Sequence, residues 1–265
     1  MEIIRSVQNA RIKQLKKLDK SSERKEQQLF LIEGLREIVL AKRAGYTIDT
    51  LFICEELLSE SEEYSTAELA DVARKISITR EVYESVAYRE TTEGVLATAK
   101  QKQHSITQLQ LPPNPLILII EAVEKPGNLG AMLRTSDAAH ADAVIICDPK
   151  TDVYNPNVIR SSIGTVFTTP IAIATTQEAI NFLRESKIEI LAAELNATSF
   201  YYQQPMDEAL AIAVGTEANG LSKEWIEAAT ARIKIPMLGE IDSLNVSVSA
   251  AILLYEAVRQ RNTKK

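Results

Sequence analysis

Three short stretches of this chain carry the residue types that chemistry needs. Each joins an apolar run to a helix through a turn rich in glycine, proline or small polar residues. The first is Asn128-Leu129-Gly130-Ala131-Met132-Leu133-Arg134-Thr135, after the run Leu116 to Ile120. The second is Gly215-Thr216-Glu217-Ala218-Asn219-Gly220-Leu221, after Leu210 to Val214. The third leaves a strand at Ile235-Pro236-Met237 and enters an apolar helix through Ser243-Leu244-Asn245-Val246-Ser247. Loops of this kind present backbone amides and short polar side chains at the carboxyl end of a sheet, where open α/β folds bind ligands. Proline suits the exit because it cannot donate to a ladder. Asn128 and Asn245 have the side chains of helix caps. Glycine at 215 suits either close approach of a ligand or a plain strand-end turn. Arg134 offers a planar fork suited to a phosphate and a fixed charge suited to a developing alkoxide. A guanidinium holds its proton too tightly to serve as a general base at neutral pH. The plain alternative for Arg134 is a surface arginine on an amphipathic helix, and for Glu217 an exposed turn carboxylate.

In this order and spacing the three stretches resemble the signature motifs of the SpoU-type RNA 2′-O-ribose methyltransferases of the SPOUT superfamily. The resemblance covers residues 115 to 262 closely and 26 to 98 loosely. Two departures flank the first motif: Lys125 stands where an acidic or polar residue is common, and His140 where glycine is common. The resemblance implies S-adenosyl-L-methionine as cofactor, bound around Gly215, Ile235 and Leu244. It also implies a catalytic set of Asn128, Arg134, Glu217, Ser243 and Asn245, with Arg134 facing the RNA phosphate and acceptor ribose. Ribosomal RNA is the substrate that the resemblance favours, with transfer RNA second. A catalytically idle RNA-binding assembly protein on the same scaffold is the competing reading. A dinucleotide-dependent oxidoreductase is disfavoured, since only Gly127 and Gly130 stand where three close glycines are needed.

The bulk numbers fit this class. At 265 residues, 45% hydrophobic and 25% charged, the chain reads as a globular protein of one large or two modest domains. No apolar run is long enough to span a membrane, and residues 1 to 5 lack a secretory apolar stretch. Cys54 and Cys147 each end an apolar run, as buried reduced thiols do, which points to the cytoplasm. Two scattered histidines and two scattered cysteines assemble no zinc site, so no metal is expected. The net charge is −6, yet residues 1 to 25 hold eight basic against three acidic residues, a local +5 on a body of −11. Such an arm suits phosphate contacts, with Arg11, Lys16 and Lys17 as its candidates and Arg160 as a further one. A solvated helix face explains the same charges equally well.

Positioning these residues takes a repeating βα pattern from Leu116 onward. Strands are expected at 116–121, 143–147, 166–173, 188–193, 210–214 and 232–236, with helices over 129–140, 176–186, 222–229 and 246–260. The alternation predicts a mostly parallel sheet with helices on both faces. The resemblance adds a C-terminal trefoil knot. Residues 1–25 are expected as a basic helical arm, with Ile12, Leu15 and Leu18 on one stripe. Residues 26–99 are expected as a small α/β domain that binds the RNA. Its strands fall near Phe30 to Ile32, Leu51 to Cys54 and Val95 to Ala99, and its helices from Gly34 to Ala44 and Ala67 to Lys75. Residues 100–115, with prolines at 112, 113 and 115, read as a linker, and 116–265 as the methyltransferase domain. The last helix carries Val248, Ala251, Ile252, Tyr255 and Val258 on one stripe, widened by Leu253 and Leu254. Core packing and a homodimer interface through this domain both fit so apolar a helix, and the resemblance implies the homodimer.

Overall fold

The computed structural model describes residues 1–58, 66–88, 93–216 and 218–263. Along the chain run β1 (Glu2–Ile4), α1 (Ala10–Lys17), α2 (Ser21–Gln27), β2 (Leu29–Glu33), α3 (Leu35–Arg43), β3 (Ile48–Ile53), β4 (Lys75–Ile78), α4 (Arg80–Glu84) and β5 (Val95–Lys100). Then follow β6 (Leu116–Glu121), α5 (Pro126–Ala138), β7 (Ala143–Cys147), α6 (Pro156–Ser161), α7 (Thr165–Thr168), β8 (Ile171–Ala174), α8 (Thr176–Glu185) and β9 (Glu189–Ala193). The chain closes with β10 (Ser199–Phe200), β11 (Leu210–Val214), α9 (Lys223–Ala228), β12 (Ala231–Lys234) and α10 (Val246–Thr263). These form two compact units, one of residues 1–103 with 152–168, the other of residues 104–151 with 169–265.

The first unit is a mixed five-stranded sheet in the order β1-β4-β3-β5-β2. Residues 1–25 are not a free arm. They supply β1, paired with β4, and they bury Ile12, Leu15 and Leu18 against Phe52, Ile76 and Leu96. The helix expected over 67–75 is replaced by a single 3-10 turn at Thr66–Leu69 and by β4. Alternate burial of Ile76 and Ile78 draws that segment between β1 and β3. Arg24, one of the eight basic residues of the arm, is buried and ion-paired to Asp152. Its guanidinium also donates to the carbonyls of Leu18 at 2.7 Å and Asp19 at 2.8 Å. A buried cation is tolerable only with such partners.

Residues 152–168, expected inside the methyltransferase domain, pack with the first unit for a visible reason. Tyr154 stacks on Phe30 at 4.2 Å between ring centroids, and Phe167 meets Tyr46 edge-on at 5.2 Å. The strand expected at 166–173 splits accordingly. Thr165 and Thr168 donate to carbonyls three residues back, at 2.9 and 3.3 Å, and hold α7. Pro170 cannot donate to a ladder, so β8 starts only at Ile171. The expected linker is also structured. Lys102 donates through Nζ to the Ala44 carbonyl at 2.6 Å, while Ile106, Leu109 and Leu111 pack on the core of the second unit.

In the second unit every pairing of the seven-stranded sheet is parallel, in the order β10-β12-β9-β11-β6-β7-β8. The strands β6, β7 and β11 are buried throughout, as a sheet covered on both faces requires. Ile117, Ile119, Ala211 and Ala213 point to one layer with Ile180, Leu183 and Trp225 of α8 and α9. On the other face α10 packs along α5 and onto β6 and β11. The buried stripe of α10 is Val246, Ala250, Leu253, Leu254 and Ala257. Val248 and Tyr255 are instead exposed and Ile252 is half-buried. The helix is therefore apolar on two sides, and only one of them faces its own core. No described helix is long and apolar enough to cross a membrane.

His140 follows the last turn of α5 with φ +53°, a left-handed conformation that glycine adopts freely because it has no Cβ. The departure seen in the sequence is thus a backbone matter. Both cysteines are buried and unpaired. Burial, and then the neighbouring carboxylates of Asp148 and Glu121, push the Cys147 thiol well above its usual range.

Candidate active site

The second motif begins where β11 ends. Thr216 and Gly220 exchange backbone hydrogen bonds of 3.0 Å in both directions, closing a tight loop, and Asn219 N donates to Thr216 Oγ1 at 3.0 Å. A Cβ added at Gly215 would lie 2.1 Å from the Gly220 carbonyl oxygen. The loop's own backbone therefore requires glycine at 215, before any ligand is considered. Glu217, the catalytic candidate of this motif, lies outside the described residues. The loop is anchored from below by Glu121, the buried last residue of β6. Its Oε2 accepts from Ser222 N at 2.7 Å and its Oε1 from Thr176 Oγ1 at 3.1 Å. Sequence reasoning passed over Glu121. A carboxylate ending a wholly apolar run was the available signal, since burying it demands partners.

The third motif leaves β12 at Ile235 and crosses an exposed loop on which Leu238 is 95% accessible. It enters α10 through Asn245, whose carbonyl accepts from Val248 N and Ser249 N, both at 3.0 Å. The Asn245 side chain does two things at once. Its Oδ1 caps the helix, accepting from Ser247 N at 2.9 Å, and its Nδ2 donates to Asn128 Oδ1 at 3.2 Å. Asn128 itself is not the cap expected from the sequence. Lys125 is the N-cap of α5, because Pro126 suits the first helical position and starts the helix early. Asn128 is instead the third helical residue, where its side chain meets Asn245. Asn245→Ala is expected to cost ~1 kcal/mol of stability through the lost cap, read as a lower midpoint in denaturant, and to lower turnover beyond that loss.

Two cavities adjoin here. One, of about 320 Å³, lies between the 193–196 loop and the second and third motifs, and is lined by Gly215, Ile235, Ser243 and Leu244. Val214, Ile226 and Leu253 give it apolar walls, and Glu194, Asn196 and Thr216 give it polar ones. The other, of about 260 Å³, is bounded by Lys125 and Asn128 and shares Thr216, Asn219 and Val246 with the first. Both lie at the carboxyl ends of parallel strands, the binding edge of such sheets. Ser243 Oγ donates to Asp242 Oδ1 at 3.1 Å. Arg134 is not brought into this group. It is exposed on α5, lines neither cavity, and makes no ion pair among the described residues.

The basic candidates belong to the first unit and line neither cavity. Arg11 is ion-paired to Glu2, so its charge is already engaged. Lys16 and Lys17 are exposed in the last turn of α1. Arg160 is exposed at the end of α6, its guanidinium carbon 5.5 Å from the ring centroid of Tyr88. Among the described residues no three His, Cys, Asp or Glu side chains lie close enough to hold a metal.

Residues 115–255 match the model of the SpoU rRNA Methylase family. The chain belongs to that family. Residues 9–97 match the MRM3-like substrate binding domain. The chain is 29% identical over 255 residues to a 23S rRNA (guanosine(2553)-2′-O)-methyltransferase, RlmP, of Bacillus subtilis, covering 96% of this chain and 98% of that one. A crystal structure of an RNA 2′-O ribose methyltransferase superposes with a TM-score of 0.87 at 38% identity, over 98% of this chain and 99% of the other. An AdoMet-bound rRNA methyltransferase from Sinorhizobium meliloti superposes with a TM-score of 0.88 at 26% identity, over 97% of each chain. In this family the cavity of the second and third motifs is the one to test against the cofactor. Its apolar walls suit an adenine ring and its turn amides suit a carboxylate. Glu194, whose buried Oε2 lies 3.6 Å from Arg232 Nη1 and has no hydrogen-bond partner among the described residues, suits ribose hydroxyls.

Proposed function

We propose that this protein methylates a ribose 2′-hydroxyl of ribosomal RNA with S-adenosylmethionine. The observation that carries this reading is the pair of adjoining cavities, with the Asn128–Asn245 hydrogen bond tying the first motif to the third at their border. When bound in the larger cavity, S-adenosylmethionine supplies an electrophilic methyl group. The smaller cavity then takes the acceptor ribose. Asn128, Ser243 and Asn245 orient its hydroxyl, and Glu217 holds the first motif in place. Arg134 binds the adjoining phosphate and stabilises the negative charge that develops on the ribose oxygen as the hydroxyl passes its proton to solvent water. The first unit, through Arg11, Lys16, Lys17 and Arg160, selects the RNA. Calorimetry with S-adenosylmethionine is the simplest test. Absence of heat and of any transfer would leave an assembly protein without catalysis.

Two further features belong to the same reading. The chain leaves β12, near one edge of the sheet, and returns as α10 against α5. We read this return as the tuck of a trefoil knot. Extension to the full contour length, with no residual knot, in single-molecule pulling would refute it. The second apolar side of α10, with Val248, Ile252 and Tyr255, is read as a homodimer interface. Such a dimer also gives Arg134 a place, since the cavities of its own chain do not. Ile252→Asp puts an unpaired charge into that interface and is expected to yield monomers or insoluble protein in sedimentation. A wild-type chain that sediments as a monomer at micromolar concentration contradicts the dimer. The work itself is placed in the cytoplasm, which cell fractionation checks.

A further inference from the structure

The first unit holds a cavity of about 340 Å³, within the range of ligand sites. Leu15 of α1, Leu31 of β2, Val86 beyond α4 and Ile159 of α6 make its floor apolar. Tyr88, half exposed, forms a wall, and the Arg160 guanidinium lies 5.5 Å from its ring centroid. Tyr88 N donates to Glu33 Oε2 at 2.8 Å, which fixes the wall to β2. Lys16, Asp19 and Arg160 complete the rim. No continuous stretch of sequence builds this cavity. It exists because the Arg24–Asp152 ion pair and the Phe30–Tyr154 stack hold residues 152–168 to this unit.

The lining sorts the possible ligands. A purely apolar ligand would make no use of the two cations or of the Asp19 carboxylate. A simple anion would meet Glu33 and Asp19 and gain nothing from the floor. A flat heterocycle attached to phosphates uses every part. Its face stacks on the Tyr88 ring, its N–H groups meet the Asp19 carboxylate, and its phosphates meet Lys16 and Arg160. We propose that this cavity takes one unstacked nucleobase of the RNA substrate, with the flanking phosphates on Lys16 and Arg160. The proposal rests on the reading of the protein as an RNA methyltransferase and adds a base-gripping site remote in sequence from the three motifs.

The test uses the full chain and a short labelled single-stranded RNA of mixed sequence, with anisotropy measured across a salt series. Tyr88→Ala is expected to weaken binding roughly 5- to 150-fold, the loss of one stacked base, with an unchanged salt slope. Tyr88→Trp should retain the affinity. Lys16→Ala should flatten the slope by about 0.7, one phosphate contact on a single strand. S-adenosylmethionine affinity and the thermal midpoint should stay constant throughout, Tyr88 being on the surface. Unchanged affinity in Tyr88→Ala, or a loss that follows the salt slope alone, overturns the cavity assignment while leaving RNA binding intact. If the unmodified chain binds no RNA and transfers no methyl group, the enzyme reading itself has failed, and this proposal with it.

Discussion

Arg134→Ala is expected to lower methyl transfer a hundredfold or more while leaving S-adenosylmethionine affinity near normal. The size follows from the ~10²–10³ lost when one preorganised donor to a developing oxyanion is deleted. The selectivity follows from position, because Arg134 is exposed on α5 and lines neither cavity of its own chain. Arg134→Lys should rescue little, since an ammonium lacks the bidentate fork. If the arginine acts across a dimer, mixing Arg134→Ala with Asn245→Ala gives more turnover than either variant alone, because a mixed dimer holds one complete site. Single-turnover rates beside calorimetric affinities measure both effects. Full turnover in Arg134→Ala would remove the arginine from the mechanism.

Gly215→Ala is expected to act in the opposite way, on the cofactor. The new methyl group would lie 2.1 Å from the Gly220 carbonyl oxygen and 2.4 Å from Leu221 N, both backbone atoms that cannot swing aside. Relief has to come from opening the Thr216–Gly220 bridge, which shapes one side of the larger cavity. Overpacking of this kind costs ~1–3 kcal/mol. Spent on the loop, that is roughly a 5- to 150-fold loss of S-adenosylmethionine affinity. The β11 core is untouched, so the thermal midpoint should fall by only a few degrees. Wild-type affinity in this variant would show that the loop does not form the cofactor site.

Much of this arrangement was legible in the sequence, and the failures have physical causes. The strands at 116–121, 143–147 and 210–214 were found to the residue, since a buried parallel strand is one unbroken apolar run. The three motif loops could be placed because each follows such a run or precedes an apolar helix. Short strands such as β1 and β10, of three and two residues, carry no such pattern. The helix expected over 67–75 failed because packing between two neighbours decided that segment. Residues 152–168 join the first unit through rings more than a hundred positions earlier, a contact that no local spacing reveals. Arg24 looked like one more basic residue of an arm until burial and Asp152 gave it another role. At Gly215 the residue was read rightly and the reason only in part, because the loop demands it first. Arg134 shows the remaining limit: a sequence places a residue on a helix but does not say which way it faces.

The central claim is ribose methylation, and one measurement addresses it directly. Ribosomal RNA from cells lacking the gene is incubated with the purified protein and S-adenosylmethionine labelled in its methyl group. The RNA is then digested to nucleosides and separated. The account predicts label in a single 2′-O-methylnucleoside, absent from the same RNA taken from wild-type cells because that site is already modified. Label on a base, or no label in RNA that binds the protein tightly, would contradict it.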